Sequence, residues 1–440
     1  MRRPPAQSHE PYDVLAHGAV GDGQANDATA IQKAVDACHL AGGGRVLLPA
    51  GRTYLCGTIR LKPNVDLYIE TGAILKGTTD GNAYGPERVL ITAIDGSNIS
   101  ISGPGTIDGD SPAWMDRLEG DIFKAKPGRP GLIYIRNCTQ VNLVDVTIRN
   151  SASWTVHLIG CEDVLIRDIR ILNDLRVPNC DGIDPDHCRN VRIANCFIQA
   201  GDDGIVTKNT RDFAHYGPCE NITVTGCTII SRSCAIKIGT ESCGDFRNFV
   251  FNSCVIYGSN RGLGIQLRDY GTIENVIFSD MVVGTELHGP QWWGKAEPIY
   301  VTAIPRTAET KLGRIRNIQF SNIICRGENG VFIHGWQNHP LEDIVLDNVQ
   351  VEIGKWTTYP GGFYDTRPGI HEGVYEHKTA GIFIRHASGV ELRNVKVSWG
   401  ENPPDYFGSA VEVHDVIGLE LDIFKGQAAH PDKDMDRIIE

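Results

Sequence analysis

The chain has 440 residues, 41% apolar and 22% charged, with 49 glycines and 22 prolines, the composition of a globular protein rich in turns rather than a disordered one. Its formal net charge of −12 argues against a general binder of nucleic acid or anionic membrane, which needs a broad basic surface. No run approaches the length of a transmembrane helix, and Met1-Arg2-Arg3-Pro4-Pro5 lacks the apolar stretch of a signal peptide. Thirteen cysteines recur at similar places in a repeat, not at metal-ligand spacing, so they read as small stacked core residues. Together with the missing leader they favour a reducing, cytoplasmic compartment.

Residues 1–11 read as a flexible N-terminus. Next, Asp27 reads as a capping residue, with Ile31, Ala34, Val35 and Cys38 following at helical spacing and Gly42-Gly43-Gly44 as a stop. The pattern predicts a short amphipathic helix over 27–38. From Asn98 to about Leu421, short segments pair a polar turn with alternating β-branched residues, as in Cys138-Thr-Gln-Val-Asn-Leu and Cys188-Arg-Asn-Val-Arg-Ile. Aligning Val141, Val164, Val191, Ile222, Phe249, Val276, Ile318, Ile344 and Val390 gives a period of roughly 27 residues. Three short strands per unit with no helix between them do not make a propeller blade or a βα solenoid. The pattern predicts an all-β, single-domain right-handed parallel β-helix of about ten coils, plugged by the helix at one open end. Two longer gaps mark inserted loops over 285–313 and 354–379, of the size that walls a cleft.

In-phase stacking of the units sets Asp181-Gly-Ile-Asp-Pro-Asp186 beside Asp203-Gly-Ile-Val-Thr-Lys208, then Cys234-Ala-Ile-Lys-Ile-Gly239, then Leu263-Gly-Ile-Gln-Leu-Arg268. Neighbouring coils lie about 4.8 Å apart, so Asp181, Asp202 and Asp203 share one small surface. Like charges this close raise at least one pKa, which lets one carboxyl stay an acid while another stays a base. Glycoside hydrolysis requires such a pair. Asp-Gly is also an ordinary turn sequence, and clustered carboxylates also bind calcium. Asp184, Asp186, Lys208, Lys237, Gln266 and Arg268 extend the polar face along several coils, as a groove for a linear poly- or oligosaccharide would need.

The residues resemble a known family. Tyr12-Asp-Val-Leu-Ala-His-Gly-Ala-Val-Gly-Asp-Gly, Asn26-Asp27, Gly42-Gly-Gly-Arg-Val, Pro49-Ala-Gly and Leu67-Tyr-Ile-Glu-Thr-Gly-Ala-Ile-Leu resemble the front of glycoside hydrolase family 28, the polygalacturonase and rhamnogalacturonan hydrolase family, with a pectin-lyase-like solenoid fold. Asn179-Cys180-Asp181 matches its N-x-D motif and Gly201-Asp202-Asp203 its G-D-D motif. The resemblance implies Asp202 as general acid and Asp181 with Asp203 as the base, with inversion and no metal or organic cofactor. Trp154 and His157 resemble the family's segment beside the site. Two motifs depart from the pattern: Ser233-Cys234-Ala235 stands where the family has G-H-G, and Gln266-Leu267-Arg268 where it has R-I-K. The resemblance then leaves Arg268, helped by Lys237 or Lys208, to hold a uronate carboxylate, with Asn179, Gln266 and Glu241 as further substrate contacts. Gly239-Thr240-Glu241-Ser242 resembles a bacterial subgroup. Trp292-Trp293 and Trp336 read as sugar platforms or loop anchors. The expected function is inverting hydrolysis of a galacturonate-containing pectic saccharide, exo-acting or directed at rhamnogalacturonan. A β-helical polysaccharide lyase and a noncatalytic carbohydrate-binding β-helix are the alternatives.

Overall fold

A computed structural model describes residues 10–338, 340–370 and 373–440; the expected flexible N-terminus falls mostly outside them. The chain winds as a right-handed parallel β-helix whose strands join one sheet running from Tyr12 to Ile439. Inward side chains stack coil on coil. Along one row Val46, Leu67, Ile101, Leu143, Ile166, Ile193, Val224, Phe251, Phe278, Phe320, Leu346, Leu392 and Leu421 are successive partners. These rungs outnumber the ten or so coils expected, because the coils before Asn98 fold without the cysteine–asparagine signature. Phe251, Phe278 and Phe320 stack face to face, with centroids 4.7 and 5.0 Å apart. All thirteen cysteines are free and buried, as core residues of the coils.

The recurrent asparagine has a conformational role. Asn190, Asn221, Asn248, Asn275 and Asn317 each sit at positive φ just before an inward residue, a backbone state that asparagine tolerates best among residues with a side chain. Their amides form a ladder, each Nδ2 donating to the Oδ1 one coil back at 3.1, 3.1, 3.1 and 2.7 Å. Replacing Asn248 by Ala removes two of these bonds and strains the turn. We expect a loss of about 1–2 kcal/mol in denaturant unfolding; a change within error would show that the ladder contributes nothing.

The helix forms over Ala28–Leu40 and buries Ala30, Ile31, Ala34, Val35 and Cys38 against the first coil. Asp27 does not cap it. Its carboxylate instead accepts from the Val20 and Gly21 amides at 2.7 and 3.0 Å, while Asn26 Oδ1 accepts from Ala28 N–H.

The insertions differ from the expectation in one respect. Residues 285–313 are not a single loop, because strand Ile299–Ala303 runs through them as an ordinary rung paired to Arg261–Leu267 and Val331–His334. No cysteine–asparagine signal precedes that strand, so the repeat pattern misses it. Residues 354–379 hold a small hairpin, Phe363–Asp365 with Val374–Glu376, whose Tyr364 caps an outward aromatic cluster of Tyr300, Phe332 and Phe383. A second hairpin, Met115–Glu119 with Ile122–Ala125, has no forewarning in the sequence.

Between strands Phe363–Asp365 and Val374–Glu376, residues 365–370 cross the outer face as a strap. Asp365 accepts from Gly294 N–H at 2.9 Å on one edge, and Ile370 N–H donates to the Pro305 carbonyl at 2.9 Å on the other. Strand Ile299–Ala303 lies beneath. Tyr300 Oη and Arg261 both donate to the Asp365 carbonyl, and Arg367 donates to the Trp292 carbonyl and to Asp365.

Candidate active site

Upstream of the strap a cavity of about 320 Å³ opens on the row that carries the aspartates. Register puts Ile183 beside Ile205 and Asp186 beside Lys208, so Asp181 and Asp203 occupy matching places on adjacent rungs. Each is followed by glycine for a steric reason. A Cβ at Gly182 would stand 2.3 Å from the Gly204 carbonyl oxygen, and one at Gly204 2.5 Å from that of Ala235. The Asp-Gly pairs therefore serve close stacking of rungs, with each carboxylate at the corner where its strand begins.

The charges alternate along this face. Lys237 Nζ lies 2.7 Å from Asp203 Oδ2, and the Cys234 amide donates to Asp203 Oδ1 at 3.1 Å. Lys208 Nζ faces three carboxylates: Asp181 at 3.4 Å, Asp184 at 3.5 Å and Glu241 at 3.7 Å. The Trp154 ring lies under the same ammonium, 4.7 Å to its centroid. Asp202 accepts from Asn179 N–H at 3.1 Å. Asn179, at positive φ, is fixed by Arg129, which donates to its Oδ1 at 2.7 Å and to the Ala152 carbonyl at 2.8 Å.

These surroundings push neighbouring carboxyls in opposite directions. Burial, reinforced by the charges of Asp181 and Asp203, drives Asp202 up to about 8. Burial also opposes ionisation of Asp203, but Lys237 and Lys208 outweigh it and hold its pKa below the ordinary value. Burial and the nearby Asp184 raise Asp181 well above the usual carboxylate range, and burial raises Asp184 to about 7 against the pull of Lys208. Glu241 resists burial through Lys208 and Lys237 and falls to about 2. At neutral pH the cavity thus presents a carboxylic acid at Asp202 next to a carboxylate at Asp203, the division of labour needed for acid–base chemistry on one bond.

Of the residues singled out in the sequence, Asp181, Asp202, Asp203, Asn179, Trp154, Lys208, Lys237, Glu241, Trp292 and Trp293 line this cavity, joined by Gln291, Ser233 and Ile122. His157 does not. It packs edge-on behind Trp154 with centroids 4.6 Å apart, reaches Asp186 at 3.4 Å, and faces an adjoining cleft lined by Arg88 and Tyr134. Gln266 and Arg268 are also elsewhere. Strand Arg261–Leu267 pairs Cys234 with Arg261 and Lys237 with Gly264, two residues out of phase with the expected alignment. A slip of two keeps the inward–outward alternation intact, so the pattern cannot reveal it. Arg268 is fully buried and holds down the strap, donating to Thr302 Oγ1 at 3.0 Å and to the Thr366 and Pro368 carbonyls. It is a structural residue and no clamp for a substrate. Arg129 went unnoticed in the sequence because Gly128-Arg-Pro-Gly131 belongs to no repeat.

Comparison with known proteins places this geometry in a lineage. The family model described as Glycosyl hydrolases family 28 matches residues 38–360. A probable polygalacturonase of Vitis vinifera is 32% identical over 299 residues, spanning 62% of this chain but only 60% of its own length. An endo-polygalacturonase of Pectobacterium carotovorum is 26% identical over 352 residues, 73% of this chain and 83% of its own. Among solved structures, a hyperthermoactive exopolygalacturonase from Thermotoga maritima superposes with a TM-score of 0.67 at 26% identity, covering 80% of this chain and 89% of that one.

Proposed function

The chain belongs to glycosyl hydrolases family 28, whose model spans most of it, and on that premise we propose that it hydrolyses an α-glycosidic bond in a galacturonate-containing pectic saccharide with inversion. The observation that carries this reading is the opposite displacement of two adjacent carboxyls, Asp202 up to about 8 and Asp203 below the ordinary range. Asp202 gives its proton to the glycosidic oxygen as the bond to the anomeric carbon breaks. A water held by Asp181 and Asp203 attacks that carbon from the opposite face and leaves its proton on Asp203, the carboxyl that stays ionised, so the new hydroxyl has inverted configuration. Trp154, Trp292 and Trp293 supply flat faces for sugar rings. The strap blocks the groove on one side of the cavity, which suits attack at a chain end. A lyase would need a neutral lysine or arginine as base, whereas Lys208 and Lys237, despite burial, are held more firmly protonated than usual by Asp181 and Asp203 respectively.

The test is turnover of defined oligogalacturonides and rhamnogalacturonan fragments, with products read by mass and by anomeric configuration in NMR. Inverted, saturated products are expected. Retained configuration, or unsaturated products absorbing in the ultraviolet, would sink the mechanism. The pH profile is a separate expectation: the acid must keep its proton, so kcat/KM should fall about tenfold per pH unit above roughly pH 8. An alkaline limb near the value of a free carboxyl would mean that burial does not tune Asp202.

A further inference from the structure

Beyond the strap, the same outward face opens into a second cavity of about 240 Å³. Its floor is built by strands Val331–His334 and Ile382–Arg393, whose register sets Thr302, His334 and Arg385 side by side on successive rungs. Trp336, Gln337, Tyr375, Thr366 and Ile304 complete its lining. Gly239, Gln266, Thr302 and His334 follow one another in register, so this cavity lies three rungs, roughly 14 Å, past Gly239. The strap stands between the two cavities.

Two polar groups here carry hydrogen-bonding capacity that the fold leaves unused. Arg385 is exposed and, among the described residues, makes no ion pair. His334 is only 9% exposed, lines the cavity and stacks on Phe332, and its Nδ1 is buried with no hydrogen-bond partner among the described residues. Burial, together with the charges of Arg385 and His386, lowers its pKa to about 3, so the ring is neutral and offers a hydrogen bond, not a charge. A buried polar atom without a partner is costly unless something visits it. The catalytic cavity differs: Lys208 and Lys237 there are both consumed by carboxylates.

An unpaired guanidinium, a neutral imidazole, an amide and a hydroxyl beside two aromatic side chains match a pyranose that carries a carboxylate. The guanidinium takes the carboxylate through two parallel hydrogen bonds, and the indole and phenol cover the ring's C–H face. We propose that this cavity is an auxiliary binding site for a uronic acid residue, separate from the catalytic cavity, that tethers acidic polysaccharide to the enzyme. The choice of a uronate rests on the function proposed above; the cavity and its unpaired groups do not.

Titration calorimetry with D-galacturonate, galactose and acetate tests it. Galacturonate should show a binding event that Arg385→Gln weakens by about tenfold or more, distinct from any event at the catalytic cavity, which Trp154→Ala weakens instead, with galactose weaker and acetate failing to displace the sugar acid. On wild-type background, Arg385→Gln should keep kcat on a short oligosaccharide and raise KM on polymer several-fold. Because Arg385 is exposed, its loss does not threaten folding. Unchanged galacturonate affinity in Arg385→Gln, equal binding of galactose, or full displacement by acetate each overturns the site. If no saccharide is hydrolysed yet Arg385-dependent binding persists, the catalytic reading falls and the site stands; if hydrolysis is normal and Arg385→Gln matches wild type in both assays, the site falls alone.

Discussion

Asp202→Asn should lower turnover by about 10³–10⁴-fold with little change in substrate affinity. Asparagine keeps the shape of the side chain and the oxygen that accepts from Asn179 N–H, the contact made at 3.1 Å. It cannot deliver a proton to a leaving oxygen. The loss should shrink on a substrate whose leaving group is a weakly basic phenol, because such a group departs without protonation. Stability moves the other way: the wild-type carboxyl is raised to about 8 by burial and by Asp181 and Asp203, so at neutral pH the fold must hold protonated a group that ionises in the unfolded chain; removing it relieves that cost, and the variant should unfold at the same temperature or higher. Single-turnover kinetics on the two substrate types, beside a thermal melt, read all three quantities. Equal loss on both substrates would deny Asp202 the part of acid, and a lower melting temperature would attribute the loss to misfolding.

Lys237→Met has the largest expected structural effect. The Lys237–Asp203 pair is 2.7 Å long, and both side chains are under a tenth exposed. Removing the ammonium leaves a buried carboxylate with the Cys234 amide and a more distant Lys208, and breaking such a pair costs about 3–5 kcal/mol. The pH dependence follows from the direction of the wild-type shift. Asp203 has a folded pKa below its unfolded one, so in wild type it contributes stability above the unfolded value, lost as pH falls through the folded value. In the variant that pKa rises, so the deficit should be greatest at neutral pH and shrink on acidification toward pH 4. Denaturant unfolding at pH 7 and pH 4.5 checks the trend. The double variant Lys237→Met/Asp203→Asn should recover most of the stability and none of the activity; failure to recover would mean that the pair is not coupled.

The sequence carries the fold wherever a residue repeats for a local reason. Inward β-branched residues and the asparagine at positive φ recur in each coil because each coil needs them, so Val191, Ile222, Phe249 and Val276 align in sequence as they do in space. The aspartates are legible for the same reason, since their rungs continue that phase. Legibility fails where tertiary contact replaces repetition. The two-residue slip at Leu263 leaves the alternation unchanged and carries Gln266 and Arg268 away from the cavity. Strand Ile299–Ala303 hides between two excursions of the chain, and the hairpin at Met115–Ala125 folds back on itself outside the repeat. Arg129 reaches Asn179 across 50 positions of chain, a contact that no local pattern announces.

The strap also governs traffic. It is fastened at Gly294 on one edge and at Pro305 on the other, so on the proposed function a saccharide seated against Trp292 is expected to withdraw by the side through which it entered. On that function the enzyme is expected not to slide along a polymer from one cut to the next. Each cleavage is then expected to be a separate encounter, with the freed sugar occupying the mouth of the cavity until it diffuses away. Kinetics under these terms are expected to be distributive, with product competing against substrate from the first turnovers.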